Sequence, residues 1–332
     1  MSVAICDIKT YGSASMPDDD SSTNIGGAID TQKKAEMKDI SPSGNIEIIS
    51  SASGDTSQTV AVTGRDAAGV QISETKTLNG QTAVAMTAQT TWERLLKAVK
   101  SATAAGDVAV EAVTAERTNT AQGGGADASG NPYIDLDAAA NAADDYYNGM
   151  VIRTTGGTGP NQIRQVIDYV GSTKRAYVSR TWGTNPDATT TFRVAQGMVF
   201  DKSPVEIMQV RRPFFNASAP STGTRKYYEK LFFKNTHATL ALTSAVIKEA
   251  SDPSGKIAFM LPATLDDTGG NGAGNSRQVA PAGTFDSADK NVANSQNHSA
   301  GAAQGVWVEL SLAAGDPATK TTYTLREQGL ST

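Results

Sequence analysis

The residue types that most often carry enzyme chemistry are scarce in this chain. It holds two histidines, His237 and His298, and one cysteine, Cys6. Neither histidine has a second ligand or a base at a spacing typical of a zinc site or a catalytic triad, and no HExxH, CxxC or GxSxG pattern occurs. We therefore predict that the protein is not an enzyme and has no catalytic residue, bound metal or cofactor. Both histidines are interpreted as structural or solvent-facing.

A glycine-rich run at residues 156–160, Gly-Gly-Thr-Gly-Pro, has the composition of a phosphate-binding loop. It lacks the Gly-Lys-Ser/Thr that holds phosphate and metal in such loops, and a predicted strand follows it where a phosphate loop would open a helix. The run is therefore interpreted as a turn.

Clustered aspartates are the remaining candidates for chemistry, because calcium binds oxygen ligands. Neighbouring aspartates in an extended chain do not converge on one point, so we interpret them as solvated loops. A glycosidase would need two carboxylates in a cleft lined by aromatic side chains. Trp182 and the tyrosines around it could line such a groove, although an ordinary core is the favoured reading. The aspartate clusters are Asp18 to Asp20, Asp135 with Asp137, Asp144 with Asp145, and Asp266 with Asp267.

Composition excludes several classes of partner. The chain has 332 residues and a net charge of −5, and its longest basic runs are pairs such as Lys33-Lys34 and Arg211-Arg212. Polyanion binders usually carry basic clusters, so nucleic-acid binding is not expected. No run reaches the ~18 apolar residues that cross a bilayer, and the N-terminus lacks the pattern of a signal peptide. We expect synthesis in a cytoplasm, and the single cysteine precludes an internal disulfide.

Hydrophobic alternation predicts a chain that is mainly β. Residues 60–86 contain three alternating segments separated by a turn ending at Gly69 and by Asn79-Gly80, the strongest short hairpin signal. Residues 92–99 are ambiguous, since Trp92, Leu95, Leu96 and Val99 have helical spacing but lie among strands. The predicted fold is two to three small antiparallel β-sandwich or barrel domains with an extended N-terminal arm.

Changes in composition divide the chain into five parts. The arm is too poor in apolar residues to fold alone, and its segment 3–8 is expected to pair with the last domain or with a neighbouring subunit. The middle domain is expected to be separable. The predicted parts are an arm at 1–40, an immunoglobulin-like β-sandwich at 41–115, a linker at 116–130, a small β-sheet or barrel domain at 131–197, and a C-terminal β-sandwich at 198–332 with a long loop at 263–305.

Three segments of the chain resemble recurring modules of tailed-bacteriophage virion proteins. Residues 59–84 resemble immunoglobulin-like or fibre-bead repeats, with a Gly-Arg-Asp-Ala-Ala-Gly turn, a Ser-Glu-Thr strand and an Asn-Gly turn. Residues 144–194, beginning Asp-Asp-Tyr-Tyr-Asn-Gly-Met, are similar to a segment of many phage structural proteins. Residues 227–245 with 304–329 are similar to a further virion domain. No functional residues carry over from this resemblance, because the pattern is structural.

The resemblance implies a structural component of a phage particle, assembled in the cytoplasm of the bacterial host and located in the virion. The leading expectation is a capsid decoration or cement protein that bridges capsid subunits, with the major capsid protein and copies of itself or other virion proteins as partners. One alternative is a structural protein of the neck, tail or fibre base, distinguished by its lower copy number. Another is a virion appendage that binds a host surface glycan.

Overall fold

The computed structural model describes residues 2–17, 25–202, 206–272, 276–316 and 322–331. The fold is mainly β, as the sequence predicts, and Asp18 to Asp20 lie outside the described residues. A 3₁₀ turn spans Ile5–Asp7 and a four-residue helical turn (α1) spans Ala293–Gln296. The strands are Ile8–Ser13 (β1), Ile29–Lys34 (β2), Ile46–Ser50 (β3), Thr59–Asp66 (β4), Gln71–Thr77 (β5), Val84–Ala85 (β6), Trp92–Lys100 (β7), Val108–Ala112 (β8), Arg117–Thr120 (β9), Gly123–Ala126 (β10), Pro132–Asp135 (β11), Val151–Gly156 (β12), Ile163–Val170 (β13), Arg175–Val178 (β14), Thr191–Ala195 (β15), Gly197–Phe200 (β16), Gln209–Arg211 (β17), Thr224–Asn235 (β18), Leu242–Ser251 (β19), Ile257–Met260 (β20), Lys290–Asn291 (β21), Ala303–Ala313 (β22) and Thr324–Ser331 (β23).

The strands group into two compact units. Unit 1 comprises residues 3–6 and 32–212, and unit 2 comprises residues 7–31 and 213–332. The predicted parts 41–115 and 131–197 therefore lie within one unit. The boundary between the two units lies after residue 212, and not at the predicted residue 198. The reason is strand pairing: β16 pairs with β8, and β17 pairs with β7, so the chain after residue 197 completes the sheets of unit 1.

Two antiparallel arrays form the first half of unit 1. One has the order β17-β7-β4-β5 and the other has the order β16-β8-β3-β6. The ambiguous segment that begins at Trp92 is a strand, because neighbours on both sides satisfy its backbone groups. Alternate residues of β4 are buried, as in a strand with one apolar face, whereas β8 and β16 are buried at every position. Buried side chains of these strands include Ile46, Ile48, Val60, Val62, Trp92, Leu95, Ala98, Val108, Val110, Met198 and Phe200.

The Asn79-Gly80 turn does not close the expected hairpin. The strand before it, β5, pairs with β4, whereas the strand after it, β6, pairs with β3 in the other array. Backbone bonds explain the change of partner: the Gly80 amide donates to the Asp55 carbonyl, and the Gly80 carbonyl accepts from the Ser50 amide. A Cβ on Gly80 would lie 2.5 Å from the Ser53 carbonyl oxygen, so glycine allows this close approach.

Residues 116–130, predicted as a linker, contain β9 and β10. These two strands are the edges of a seven-stranded antiparallel sheet. Its order is β10-β11-β14-β13-β12-β15-β9. Small and polar residues suffice here because backbone pairing, and not side-chain burial, places an edge strand. Residues 123–125 form part of β10, and Gly125 is buried.

Unit 2 contains two further antiparallel arrays, β20-β22-β18-β1 and β21-β19-β23. The N-terminal arm joins the first of them, since β1 pairs with β18 from Ile8 opposite Asn235 to Gly12 opposite Leu231. The pairing segment begins at Ile8, later than the segment 3–8 that the sequence indicates. Residues 5–7 form the 3₁₀ turn that leads into this strand.

The long loop at 263–305 packs onto unit 2 with many buried residues. Asn271, Arg277, Val292 and His298 are each at most 4% exposed. The Asn271 side-chain amide donates to the carbonyls of Ser276 and Val279, so the loop folds back on itself. Internal hydrogen bonds of this kind replace the apolar side chains that the loop sequence lacks.

A buried lysine fastens both the arm and the long loop to β18. The Lys230 side chain is fully buried, and its Nζ lies 2.5 Å from Asp267 Oδ2. The same ammonium group donates to the carbonyls of Gly27 in the arm at 3.0 Å and of Gly269 in the loop at 2.9 Å. Burial lowers the pKa of Lys230, and Asp267 opposes that effect. One side chain therefore joins three segments that are distant in sequence.

We predict that Lys230→Met destabilises unit 2 by about 3–5 kcal/mol, because it leaves the Asp267 carboxylate and two loop carbonyls without their donor. The matched control is Lys226→Met on the same strand, whose side chain is 48% exposed and paired with Glu309, and which should cost about 1 kcal/mol or less. Urea unfolding of both variants measures the difference. Equal losses would refute the assigned role of Lys230.

We also predict that deletion of residues 1–13 weakens unit 2 and leaves the β3–β8 pairing intact. Removal of β1 exposes the backbone groups of residues 231–235, whose partners it supplies. Amide hydrogen exchange should accelerate in β18 and stay unchanged in β3 and β8. The opposite pattern, with fast exchange in β3 and protected β18, would contradict the observed pairing.

Candidate functional site

Both histidines serve the local structure. His237 Nδ1 accepts hydrogen bonds from the amides of Thr239 and Leu240, which fixes the turn between β18 and β19. His298 is fully buried, with Nδ1 2.5 Å from Glu327 Oε1 and Nε2 3.0 Å from the Ala302 carbonyl oxygen. Each ring is therefore occupied by partners that belong to the fold, as the sequence analysis anticipates.

The clustered aspartates outside 18–20 are likewise used in local contacts. Asp135 forms a two-pronged pair with Arg175, and Asp137 pairs with Arg117. The others bond backbone amides or nearby side chains: Asp144 with the Gly171 amide, Asp145 with the Asn148 side chain, Asp266 with the Ala303 amide, and Asp267 with Lys230. Across the described ranges no group of three or more His, Cys, Asp or Glu side chains is arranged to hold a metal ion.

The glycine-rich run at 156–160 is a turn between β12 and β13. Thr154 Oγ1 donates to the Gly159 carbonyl at 2.6 Å and accepts from the Gln162 amide at 3.0 Å. Gly157 has φ of 68°, and a Cβ there would lie 2.0 Å from the Thr189 carbonyl oxygen. Packing against its own domain therefore accounts for these glycines.

The aromatic residues of the seven-stranded sheet form its core. Trp182, Tyr147, Tyr169 and Phe192 are at most 7% exposed and belong to one apolar cluster. Burial raises the pKa of Tyr169 to about 12. Core burial, and not an open sugar groove, describes these side chains.

One further aromatic residue, Tyr133, is half-buried, and one of its ring faces is covered. The Arg175 guanidinium lies 3.7 Å from the ring centroid, and the Tyr177 ring meets Tyr133 edge to face. A stacking platform for a sugar needs a free ring face, and Arg175 already occupies one face of Tyr133.

The most concentrated chemistry lies at β8, where two buried acids, one just before the strand and one within it, bind arginines of the seven-stranded sheet or of the turn after β14. Asp107, just before β8, accepts from Arg164 Nη1 at 3.0 Å and from Arg180 Nη2. Its other oxygen accepts the Lys202 amide at 3.0 Å. Burial raises the pKa of Asp107, and the two guanidinium groups act against that effect. Burial, with the neighbouring Arg180, lowers the pKa of Arg164 to about 10.

Glu111, four residues further along, makes the second cluster. Its Oε1 accepts from Arg153 Nε at 2.7 Å and from Arg193 Nε at 3.1 Å. Glu47 of β3 lies beside it, 3.5 Å from Arg153 Nη2 and 3.7 Å from Arg193 Nη2. We call Glu47, Glu111, Arg153 and Arg193 the carboxyl–arginine cluster. Together with Asp107 and its arginines, it joins the sheets of unit 1.

Sequence reasoning missed these acids because they belong to no motif. Asp107 and Glu111 flank an apolar alternating segment, and this pattern usually indicates ordinary solvated residues. One signal was present: the arginines Arg153, Arg164 and Arg193 each follow a large apolar residue directly within a predicted strand. An arginine at a buried strand position requires a carboxylate partner, although the sequence does not say which one.

Open strand edges are a further feature of the described chain. β5 and β23 each have a neighbour on one side only, as do the two edges of the seven-stranded sheet. Apolar residues are exposed beside two of these edges: Val70, just before β5, is 59% exposed, and Leu330 in β23 is 65% exposed. Unpaired edges with exposed apolar side chains are typical of surfaces that meet another chain.

Comparison with known proteins gave no relative: no family model, no curated protein and no solved structure matches this chain. Within the described ranges, no helix has the length and apolar character to span a membrane. The interpretation of the site therefore depends on the chain's own geometry.

We predict that Asp107→Asn destabilises unit 1 by about 3–5 kcal/mol, since the change leaves the buried Arg164, and Arg180 beside it, without the carboxylate charge that they share. The matched control is Asp135→Asn, which breaks an arginine pair whose Arg175 side chain is 28% exposed, with an expected loss of about 1 kcal/mol or less. Chemical denaturation monitored by tryptophan fluorescence measures both variants. A loss for Asp107→Asn no greater than the control would show that this contact does not hold the sheets together.

We further predict that a chelator leaves the melting temperature of the purified protein unchanged, because the described ranges hold no group of His, Cys, Asp or Glu side chains arranged to bind a metal ion. Differential scanning calorimetry with and without EDTA is sufficient. A drop of several degrees that zinc or calcium reverses would overturn this expectation.

Proposed function

We propose that this chain is a structural component of a bacteriophage particle, and specifically a capsid decoration protein that bridges capsid subunits. The observation that carries the proposal is a difference between the interior and the surface of the described chain. Acids and histidines that could have served chemistry are used in internal contacts, while open strand edges and exposed apolar residues face outward. The resemblance of residues 59–84, 144–194 and 227–245 with 304–329 to virion modules supports the same proposal.

Strand addition is the physical means by which such a protein would bridge its partners. An open edge offers a row of backbone donors and acceptors, and a neighbouring chain can satisfy them. β23 carries Leu330 at its exposed end, and β5 begins beside the exposed Val70. In this proposal the major capsid protein, or another copy of this chain, supplies the opposite strand.

A position in the neck, tail or fibre base is the second candidate within the same class, because phages use similar β-modules at several positions. It shares every structural argument above and differs in number and symmetry. A glycan-binding appendage is the third candidate. Arg175 already occupies one face of Tyr133, which weighs against that reading. Binding of the purified protein to a glycan array would support it, and no binding would support the structural proposals.

We predict that virions contain this protein in numbers comparable with the major capsid protein, on the order of hundreds of copies per particle. Quantitative mass spectrometry of purified particles measures the ratio directly. A ratio that corresponds to about six or twelve copies would assign the protein to the neck or tail. Its absence from purified particles would overturn the virion proposal.

A further inference from the structure

Two acidic side chains face each other inside unit 1, although like charges in that arrangement repel. Glu47 on β3 and Glu111 on β8 are directly opposite in the antiparallel register, so their side chains leave the same face of the sheet. Like charges directly opposite on neighbouring strands are destabilising, and burial strengthens the repulsion. An additional feature must therefore compensate for this pair.

The two arginines of the cluster balance the charge of the pair, but their hydrogen bonds leave one carboxylate oxygen without a donor. Both donate through Nε to the same oxygen, Oε1 of Glu111. The Arg193 Nη2 group donates to the carbonyls of Ala112 and Val113, so part of its capacity is used elsewhere. Glu111 is fully buried, and its other carboxylate oxygen, Oε2, accepts no hydrogen bond. A buried carboxylate oxygen without a donor is costly.

We propose that Glu47 and Glu111 share one proton, which the Glu47 carboxyl group donates to Oε2 of Glu111. The proton removes one negative charge from the opposed pair and satisfies the unpaired oxygen. The cluster then holds two guanidinium groups, one carboxylate and one neutral carboxyl group. The shared proton makes the carboxyl–arginine cluster a proton-binding site between the sheets of unit 1. This inference does not depend on the proposed role of the chain in a phage particle.

The electrostatic surroundings support this assignment. Burial raises the pKa of Glu47, and the charge of Glu111 raises it further, while Arg193 and Arg153 act in the opposite direction. The outer neighbours contribute no charge, since Ala85 of β6 lies opposite Glu47 and Gly197 of β16 lies opposite Glu111. Arg153 on β12 and Arg193 on β15 are the charged groups that face the pair.

The direction of the pH dependence follows from linkage. A carboxyl group whose pKa is higher in the folded protein than in the unfolded chain binds its proton more tightly in the folded state. Its contribution to stability is fully present below the pKa of an unfolded glutamate. That contribution is lost as the pH rises through the raised folded value. Mild acidification should therefore strengthen the contact between the sheets of unit 1.

Glu47→Gln tests the proposal, because the glutamine amide is a permanent neutral donor in place of the shared proton. Stability of the full-length protein is measured by urea unfolding from pH 5 to pH 9. The free energy of unfolding of the wild type should fall across this range, and part of the fall should correspond to the release of one proton. That part should be missing from Glu47→Gln. The matched control, Glu116→Gln at an exposed site bonded to Tyr146, should keep the wild-type slope. Superimposable profiles of wild type and Glu47→Gln would overturn the proposal.

Infrared spectroscopy gives a second readout that does not depend on how the variant folds. At a pH where free glutamate is ionised, the wild-type protein should still show the carbonyl band of a protonated, buried carboxyl group. The band should shift on isotopic labelling of glutamate and disappear in Glu47→Gln. If the wild-type protein at that pH has no such band, the two glutamates share no proton.

Discussion

The constraint on which unit 1 depends is that a buried carboxylate must have a compensating cation. β8 is a short, completely buried strand with Asp107 before it and Glu111 near its end. Each acid binds two arginines that belong to the seven-stranded sheet or to the turn after β14. Apolar packing alone would allow the sheets to slide, because it has no direction. The four guanidinium contacts fix one arrangement, and the sheets therefore form a single unit.

Unit 2 uses the same solution with a lysine and a further arginine. Lys230 joins the arm and the long loop to β18, and the fully buried Arg277 lies 3.5 Å from the fully buried Glu229. The chain has a single cysteine, so no disulfide within it can fix its loops. Buried pairs of opposite charge specify the loop positions, because any other arrangement would leave a charge unpaired.

Local sequence patterns predicted that the chain is mainly β. Pairing between segments distant in sequence determined which strands are neighbours and where the units divide. The alternation in residues 60–77 correctly indicates the β4–β5 hairpin, and the strand that begins at Trp92 follows from its setting among strands. The failures have one physical origin. The Asn79-Gly80 turn, the supposed linker at 116–130 and the boundary near residue 198 were each decided by backbone partners far away in sequence. The buried acids escaped notice for the same reason, since their arginine partners lie 42 to 82 residues away in sequence.

The most direct test of the proposal that the surfaces of this chain join the subunits of a phage particle is a high-resolution cryo-electron microscopy reconstruction of the particle to which we assign it. The account predicts density for both units on the outer shell of the head, with an open edge such as β23 or β5 paired with a strand of a neighbouring subunit. Density at the neck or tail would move the protein elsewhere in the virion. A fully decorated, well-resolved particle with no density for this chain would contradict the account.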